Sequence, residues 1–506
     1  MIAFFKHAFS KSNKPLLLAL LINALIHLPF VNRPPESAHI WRQCNTLAIA
    51  RNFHEEGMNI LEPRVDNRFD QSGITGANFP AYEWGLAAIY QITGEQNWVH
   101  RVYTTVIFFI GIAGLFSLLY YLFNNYVIAN SGAIALLFFP DLFYFQFNAL
   151  PDILALTLMI WGFYYFVRWF DTVKTTENNI VFFIASMLLL SLAGLVKLYF
   201  LLIGFAIVGM LIQDYKQLLS LQVLIYLFIF GLVSVGIPIA WYLYAIELIK
   251  KSGLADFGLE IRSETNIGTI IHILTQNITS DLPELILNFA NTGFVLAACY
   301  YFFKRKGYKK AYFIPALFLF IGIVLYHMVE LKQMKYHSYY MMPYYPFLAC
   351  IVAYGANKLW RHGFAAVVLL LIAANPIVAA LRILPARWMN PDKYVAMELY
   401  NEDTRAQLSN AVPKDALCIV GEDDSHCIYF YFLHKKGFGY DTWDQLLKAD
   451  TLMTEPRIKN YIDRGATYLY ISTKDTILVP EKTELAPYLE QRIDSVGSFY
   501  VYKLKR

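Results

Sequence analysis

The sequence predicts a mainly α-helical, polytopic membrane protein with about eleven transmembrane helices and a small α/β extracytoplasmic domain at its C-terminal end. Three observations carry this. Of 506 residues, 57% are hydrophobic and only 16% are charged, against about 25% charged in a soluble domain. The charge is depleted from long apolar runs, not from the chain as a whole. After about residue 385 the pattern changes to short strand-like runs alternating with helical ones.

The apolar runs, in order, cover roughly 15–31, 102–123, 127–143, 150–167, 180–195, 198–213, 221–245, 285–303, 311–328, 340–357 and 363–384. A bilayer crossing takes about 20 such residues, fewer where neighbouring helices help. Only Val196-Lys197 separates the fifth run from the sixth. A single helix over 180–213 would be about 50 Å long, against a hydrocarbon core of about 30 Å, so two spans meeting at Lys197 are expected. Lys6, Lys11 and Lys14 precede the first run, no small-residue cleavage site follows it, and Leu28 to Pro35 reads as a helix end; the run is a retained span.

Lys and Arg fall on one set of short loops. They are Lys6, Lys11 and Lys14, then Arg168 and Lys174, Lys216, the run "KRKGYKK" from Lys304, and Lys358 with Arg361. This asymmetry puts the N-terminus on the cytoplasmic side, and an odd number of spans puts the C-terminal part outside. Three outer segments are then long: 32–101, about 246–284, and everything after about 385. The domain division is 1–384, a membrane domain that includes outer loop 32–101 with amphipathic helices, and 385–506, an outer domain. In the latter, "ALCIVGE", "CIYFYFLH", "TYLYIST" and "SFYVYKL" read as strands and "PRIKNYIDRG" as a helix stopped by Gly465. A net charge of +4 gives no electrostatic case for nucleic acid. Five cysteines are too few and scattered for a disulfide framework, and spacing alone does not pair Cys418 with Cys427.

The first outer segment opens with "SAHIWRQCNTLAIARNF", which packs His39, Trp41, Arg42, Gln43 and Asn45 into seven residues. From Thr46 the spacing of Leu47, Ile49, Ala50 and Phe53 predicts an amphipathic helix along the outer membrane surface, with Asn52, Glu55 and Glu56 toward water and Gly57 as its stop. A second is expected over Pro80 to Thr93, in the stretch opened by Asn78. An interfacial anchor accounts for Trp41 alone, but an anchor has no need of His, Gln and Asn together. Polar groups recur at other outer helix ends: Asp141 and Asp152 around a short turn, Lys197, and Glu330, Lys332, Lys335, His337 and Tyr340 in "ELKQMKYHSYYMMPYYP". Charge at that depth is costly and is ordinarily kept for a site or a partner.

An outer cavity with carboxylates, a histidine and cations suits sugar transfer from a polyprenyl-phosphate donor. The phosphate pairs with Arg or Lys, for which Arg42, Lys197 and Lys335 are candidates. An acceptor hydroxyl needs a carboxylate or His as base, for which Glu36, His39, Asp66 and Asp152 are candidates. A lipid phosphate leaves as a stable anion, so no metal is obligatory.

Several stretches together resemble the GT-C class of integral membrane glycosyltransferases, in particular the branch of aminoarabinose transferases and protein O-mannosyltransferase relatives. They are "HIWRQCNTLAIARNF", "NILEPRVD", "NFPAYEWGLAAIYQITG", "FNALPDILAL", "LAGLVKLYFLLI" and "HSYYMMPYYP", and the resemblance covers about 1–384. It implies a GT-C-like fold in a bacterial inner membrane and inverting transfer from a polyprenyl-phosphate-linked sugar to a glycan, lipid or protein acceptor. It also implies an acidic residue of the first outer loop as base and, in some members, a divalent cation. Asp152 matches the second acidic position. Lys197 and His337 to Tyr340 match positions that hold the lipid phosphate, and Arg42, Gln43, Asn45 and Asn78 fall in the substrate-binding stretches. The chain departs from the class at Asn45, where relatives carry Asp; an amide cannot take a proton as a carboxylate does. Either Glu36, His39 or Asp66 replaces it, or that acid is not the base, or catalysis is impaired. A transporter or flippase of polyprenyl-linked glycans and a non-catalytic membrane scaffold are the competing readings. Against the former, the chain shows no internal repeat of the kind transporters carry.

Overall fold

The computed structural model describes residues 13–68, 72–174, 179–216, 220–253, 263–389, 395–423, 425–440, 457–473, 480–482 and 485–505. Lys6 and Lys11, used above for orientation, lie outside these. Helix dominates, and a small sheet is confined to the C-terminal part. The chain divides into two compact units, one of Met1–Asn32, His100–Leu243 and Gly258–Ala386, the other of Arg33–Val99, Tyr244–Phe257 and Arg387–Arg506.

Most of each apolar run is helical. The helices are Lys14–Phe30, Asn97–Phe123, Tyr126–Leu137, Asp152–Lys174, Ile180–Val196, Gly204–Gln213, Leu221–Ser252, Phe289–Lys304, Phe313–Val329, Tyr345–Arg361 and Ala365–Ile383. Among the described residues four helices are long and apolar enough to cross a membrane, and a fifth span arises if Ile267–Ile286 and Phe289–Lys304, bent by 117°, are one broken crossing. Lys197 does interrupt the chain: its φ of −153° and ψ of 111° are extended, between the helix ending at Val196 and the 3₁₀ turn Leu198–Ile203. The run 127–143 differs from expectation. It breaks after Leu137, Phe139 is extended, and a separate short helix Pro140–Phe145 follows. Proline disfavours helical geometry at the residue before it.

Helices pack in pairs, Asp152–Lys174 on Ile180–Val196 and Phe289–Lys304 on Tyr345–Arg361. At the second contact a side chain on Gly355 would overlap the backbone carbonyl of Phe294, the close approach small residues permit between membrane helices. Leu18, Leu21, Leu25, Phe228, Leu232, Leu370 and Ile377 are each more than half exposed. So large an apolar surface fits lipid rather than water. The chain is a membrane protein by this surface and these helices.

In the second unit, strands β1 (Leu417–Gly421), β2 (Lys436–Gly439), β3 (Tyr468–Ser472), β4 (Leu489–Val496) and β5 (Phe499–Leu504) form one sheet in the order β2-β1-β3-β5-β4. β1 is parallel to β2 and β3, while β5 is antiparallel to β3 and β4. Alternation builds a core on each face. Cys418, Val420, Tyr470, Phe499 and Val501 face one core, whereas Ile419, Leu469, Ile471, Tyr502 and Leu504 face the other. Ile40 and Cys44, from the first outer segment, complete the former core. That segment also bonds to the sheet edge, Gly437 N–H to the Asp66 carbonyl at 3.1 Å and Arg68 N–H to the Gly437 carbonyl at 2.5 Å. Gly437 has φ +151°, and a side chain there would overlap the Cys418 carbonyl. All five cysteines are free thiols.

Two expectations fail in this unit. "CIYFYFLH" is not a strand but the helix Ile428–Leu433, ended by His434 at φ 52°. A short, wholly apolar run has no period to tell the two apart, and this one is buried nearly all round. The first outer helix is Ile40–Glu56, buried from Arg42 through Phe53. It is therefore a core element rather than a surface helix, and Asn52 does not face water. The second, Ala81–Thr93, buries Tyr82, Glu83, Leu86, Ala87 and Tyr90 and leaves Trp84 and Ile92 exposed.

Candidate functional site

Asp152 begins the helix Asp152–Lys174, where the N-terminal dipole favours a carboxylate. It is fully buried. Its Oδ1 accepts a hydrogen bond from the Tyr199 hydroxyl, and its Oδ2 has no hydrogen-bond partner among the described residues. An unused buried acceptor costs about 1–3 kcal/mol, more when charged, so its retention points to function.

The break at Lys197 positions Tyr199. The extended residue turns the chain, and the phenol two residues on reaches Asp152. Lys197 is itself buried, with Nζ 5.8 Å from the Tyr199 ring centroid. The Tyr199 ring lies 5.2 Å from that of Tyr340 and 5.8 Å from that of Tyr326. The Tyr326 hydroxyl donates to the Tyr340 carbonyl at 3.1 Å. His337 links the helix Leu331–Tyr336 to the 3₁₀ turn Ser338–Tyr344, with its ring 6.0 Å from Tyr340. Asp141 pins this turn, accepting from Ser338 Oγ and from the Tyr345 hydroxyl, each at 2.8 Å.

Asp152, Lys197, His337 and Tyr340, separated by up to nearly two hundred residues in sequence, thus belong to one aromatic-lined cluster in the first unit. Lys335 is exposed, its Nζ 4.9 Å from the ring of its neighbour Tyr336. Sequence reasoning missed Tyr199 and Tyr326 as site residues and left Asp141 and Tyr345 without a role. The available signal was a Tyr two residues after a lysine that interrupts an apolar run.

The other candidates belong to the second unit. Glu36 is buried and accepts from Arg33 at 3.4 Å. Gln43 Nε2 donates to the carbonyls of Glu36 and Ala38 at 3.2 and 3.0 Å. His39 adopts φ 54° ahead of helix Ile40–Glu56, and its carbonyl accepts from the Arg42 and Gln43 backbone. Arg42 is buried, and Asn78 is half-buried before helix Ala81–Thr93. Asn45 Oδ1 lies 3.8 Å from Cys427 Sγ. Asp66 accepts from Asn52 Nδ2 at 3.0 Å and lies 3.7 Å from Arg51.

Ion pairs organise this unit. Glu55 meets Lys414, His434 and Lys436, each at 3.0 Å. Burial alone would raise its pKa, but hydrogen bonds from His434, Lys414 and Lys436 outweigh it and hold the carboxyl below the ordinary range. Burial likewise opposes the charge of Arg51, which Glu95 and Asp66 restore. Among the described residues no three His, Cys, Asp or Glu side chains are grouped to hold a metal ion.

A set of apolar helices with a small α/β sheet near the C-terminus is a fold this chain shares with several solved structures. The solved structures it resembles include ArnT from Cupriavidus metallidurans in the apo state, with a TM-score of 0.64, 11% identity and 98% of each chain covered. The same protein bound to undecaprenyl phosphate gives 0.62 and 12%, covering 96% of this chain and 97% of that one. The Archaeoglobus fulgidus oligosaccharyltransferase, in complex with Zn and sulfate, gives 0.55 and 12%, covering 91% and 68%. At these identities the likeness is one of fold. No protein-family model matches the sequence, and no curated protein matches it.

Proposed function

We propose that this protein transfers a sugar from a polyprenyl-phosphate donor to an acceptor hydroxyl on the outer face of a bacterial inner membrane, with inversion at the anomeric carbon. The observation that carries the reading is the Asp152 carboxylate, buried, oriented on one oxygen by Tyr199 and unpaired on the other. The fold likeness to ArnT, one structure of which holds undecaprenyl phosphate, supports the donor class.

In this reading the acceptor oxygen attacks the anomeric carbon, the bond from that carbon to the phosphate oxygen breaks, and the lipid phosphate departs with the electron pair. Asp152 Oδ2 takes the acceptor's proton, a general-base role worth about 10²–10⁴ in rate. Lys197 offsets the growing phosphate charge, and His337 and Tyr340 flank it. Asp152 is preferred as base over Asp66, whose Oδ2, also without a hydrogen bond, is ion-paired with Arg51 at 3.7 Å, and over Glu36, bonded to Arg33.

The proposed topology has about eleven spans, a cytoplasmic N-terminus, a membrane domain over 1–384 and an extracytoplasmic domain over 385–506. Proteoliposomes loaded with a polyprenyl-phosphate-linked sugar and acceptor glycolipid test the reading. Release of free polyprenyl phosphate with a glycosylated acceptor supports it. Movement of the intact donor between leaflets without cleavage supports a flippase instead.

A further inference from the structure

We propose that a basic patch on the first unit binds the headgroups of anionic phospholipids, in the leaflet opposite the one nearest the Asp152 cluster. Two separate stretches build the patch. One is the turn between helices Phe289–Lys304 and Phe313–Val329, where Lys304, Arg305, Lys306, Lys309 and Lys310 are all exposed. The other is the end of helix Tyr345–Arg361, with Lys358, Arg361 and His362. Packing of Phe289–Lys304 on Tyr345–Arg361 brings them together. Arg305 Nη2 lies 3.4 Å from His362 Nε2. Burial, then Arg361, Arg305 and Lys310, oppose the charge of Lys358.

Helix length sets the leaflet. Tyr345–Arg361 begins directly after the turn Ser338–Tyr344, which carries Tyr340 of the Asp152 cluster. At 1.5 Å per residue it extends about 25 Å, most of a hydrocarbon core of about 30 Å. The cluster and the patch therefore stand toward opposite faces of the bilayer.

Charge and exposure select the ligand. Between Asn291 and Ala365 the only carboxylate is Glu330, at the far end of helix Phe313–Val329. Among the described residues none of these basic groups meets a carboxylate within ion-pair distance. Helix C-termini favour Lys304, Lys358 and Arg361, but Lys306, Lys309 and Lys310 lie beyond the helix and gain nothing from it. A topology signal needs only a count of cations in a loop, not their convergence with those of a second segment. Phosphate diesters supply the missing negative charge, as they do for other cation clusters next to membrane helices. In the same two stretches Phe303 and Phe364 are 73% and 50% exposed, and Tyr308 and Trp360 are exposed as well. Such rings sit at headgroup level, which selects a lipid over a soluble polyanion.

The test is native mass spectrometry of the intact protein released from micelles doped with equal amounts of phosphatidylglycerol and phosphatidylcholine. Wild type should retain the anionic lipid about tenfold over the zwitterionic one, and added salt should lower that ratio. Combining Lys306→Gln, Lys309→Gln and Lys310→Gln should remove most of the preference, at an unchanged thermal midpoint in lipid-free detergent. Lys250→Gln with Lys251→Gln, exposed at the end of helix Leu221–Ser252, should leave it as in wild type. Equal retention of the two lipids by wild type, a preference insensitive to salt, one unmoved by the triple substitution, or one lowered as much by the Lys250 and Lys251 pair would each overturn the proposal. Lipid retention is read without sugar transfer, so its failure and that of the transfer reading are distinguishable.

Discussion

The hydroxyl of Tyr199 donates to Oδ1 of Asp152 and leaves Oδ2 of the same carboxylate unengaged. One oxygen is oriented and the other is buried without a hydrogen bond. Tyr199→Phe keeps the ring against Tyr340 and Tyr326 while removing the donor. A hydrogen bond to a charged group contributes about 1.5–3 kcal/mol, so kcat should fall about 10- to 100-fold with the donor KM little changed. Steady-state kinetics of sugar transfer check this split.

Lys197 is a buried cation with Nζ 5.8 Å from the Tyr199 ring centroid. Removing its charge should act first on the phosphate-bearing substrate. Lys197→Met is expected to raise the donor KM at least tenfold, and Lys197→Arg to retain more activity because it keeps the charge. Equal effects of Met and Arg would locate its role in packing instead.

Asp141 does a different job. It holds the turn that carries His337 and Tyr340 through Ser338 and Tyr345. Asp141→Ala deprives both donors of their acceptor at about 1–3 kcal/mol each. Thermal scanning in detergent should show a midpoint lower by several degrees, with Asp141→Asn falling less because one acceptor remains.

Much of this was readable in the sequence, and the failures have physical causes. The break at Lys197 was legible because a single helix over 180–213, about 50 Å long, would overrun a hydrocarbon core of about 30 Å. The strands at 417–421, 468–472 and 499–504 were legible because turn residues bound them. The helix Ile428–Leu433 was not, since six apolar residues, five of them buried, carry no period. Asn52 was expected in water because polarity was read as exposure, whereas it is buried by bonding Asp66 and the Arg64 carbonyl. The pairing of Tyr199 with Asp152, and of Arg51 with Tyr431, lies in tertiary contacts that no local pattern encodes.

The Glu55 cluster gives the second unit a pH response. Its carboxyl is held below its ordinary value of 4.5 when folded, so its contribution to stability is full above that pH and declines as pH falls below it. Lys414 is largely exposed, which screens its share. Thermal midpoints measured from pH 7 down to pH 3 should drop for the wild type. Glu55→Gln should start lower at pH 7 and show a shallower decline.

The central claim is that Asp152 assists transfer from a lipid-linked sugar. It is tested most directly by quantifying polyprenyl phosphate released by purified wild type and Asp152→Asn in nanodiscs, with donor binding measured alongside. The account predicts a loss of about 10²–10⁴ in release rate with donor binding retained. Release by Asp152→Asn at the wild-type rate would contradict it.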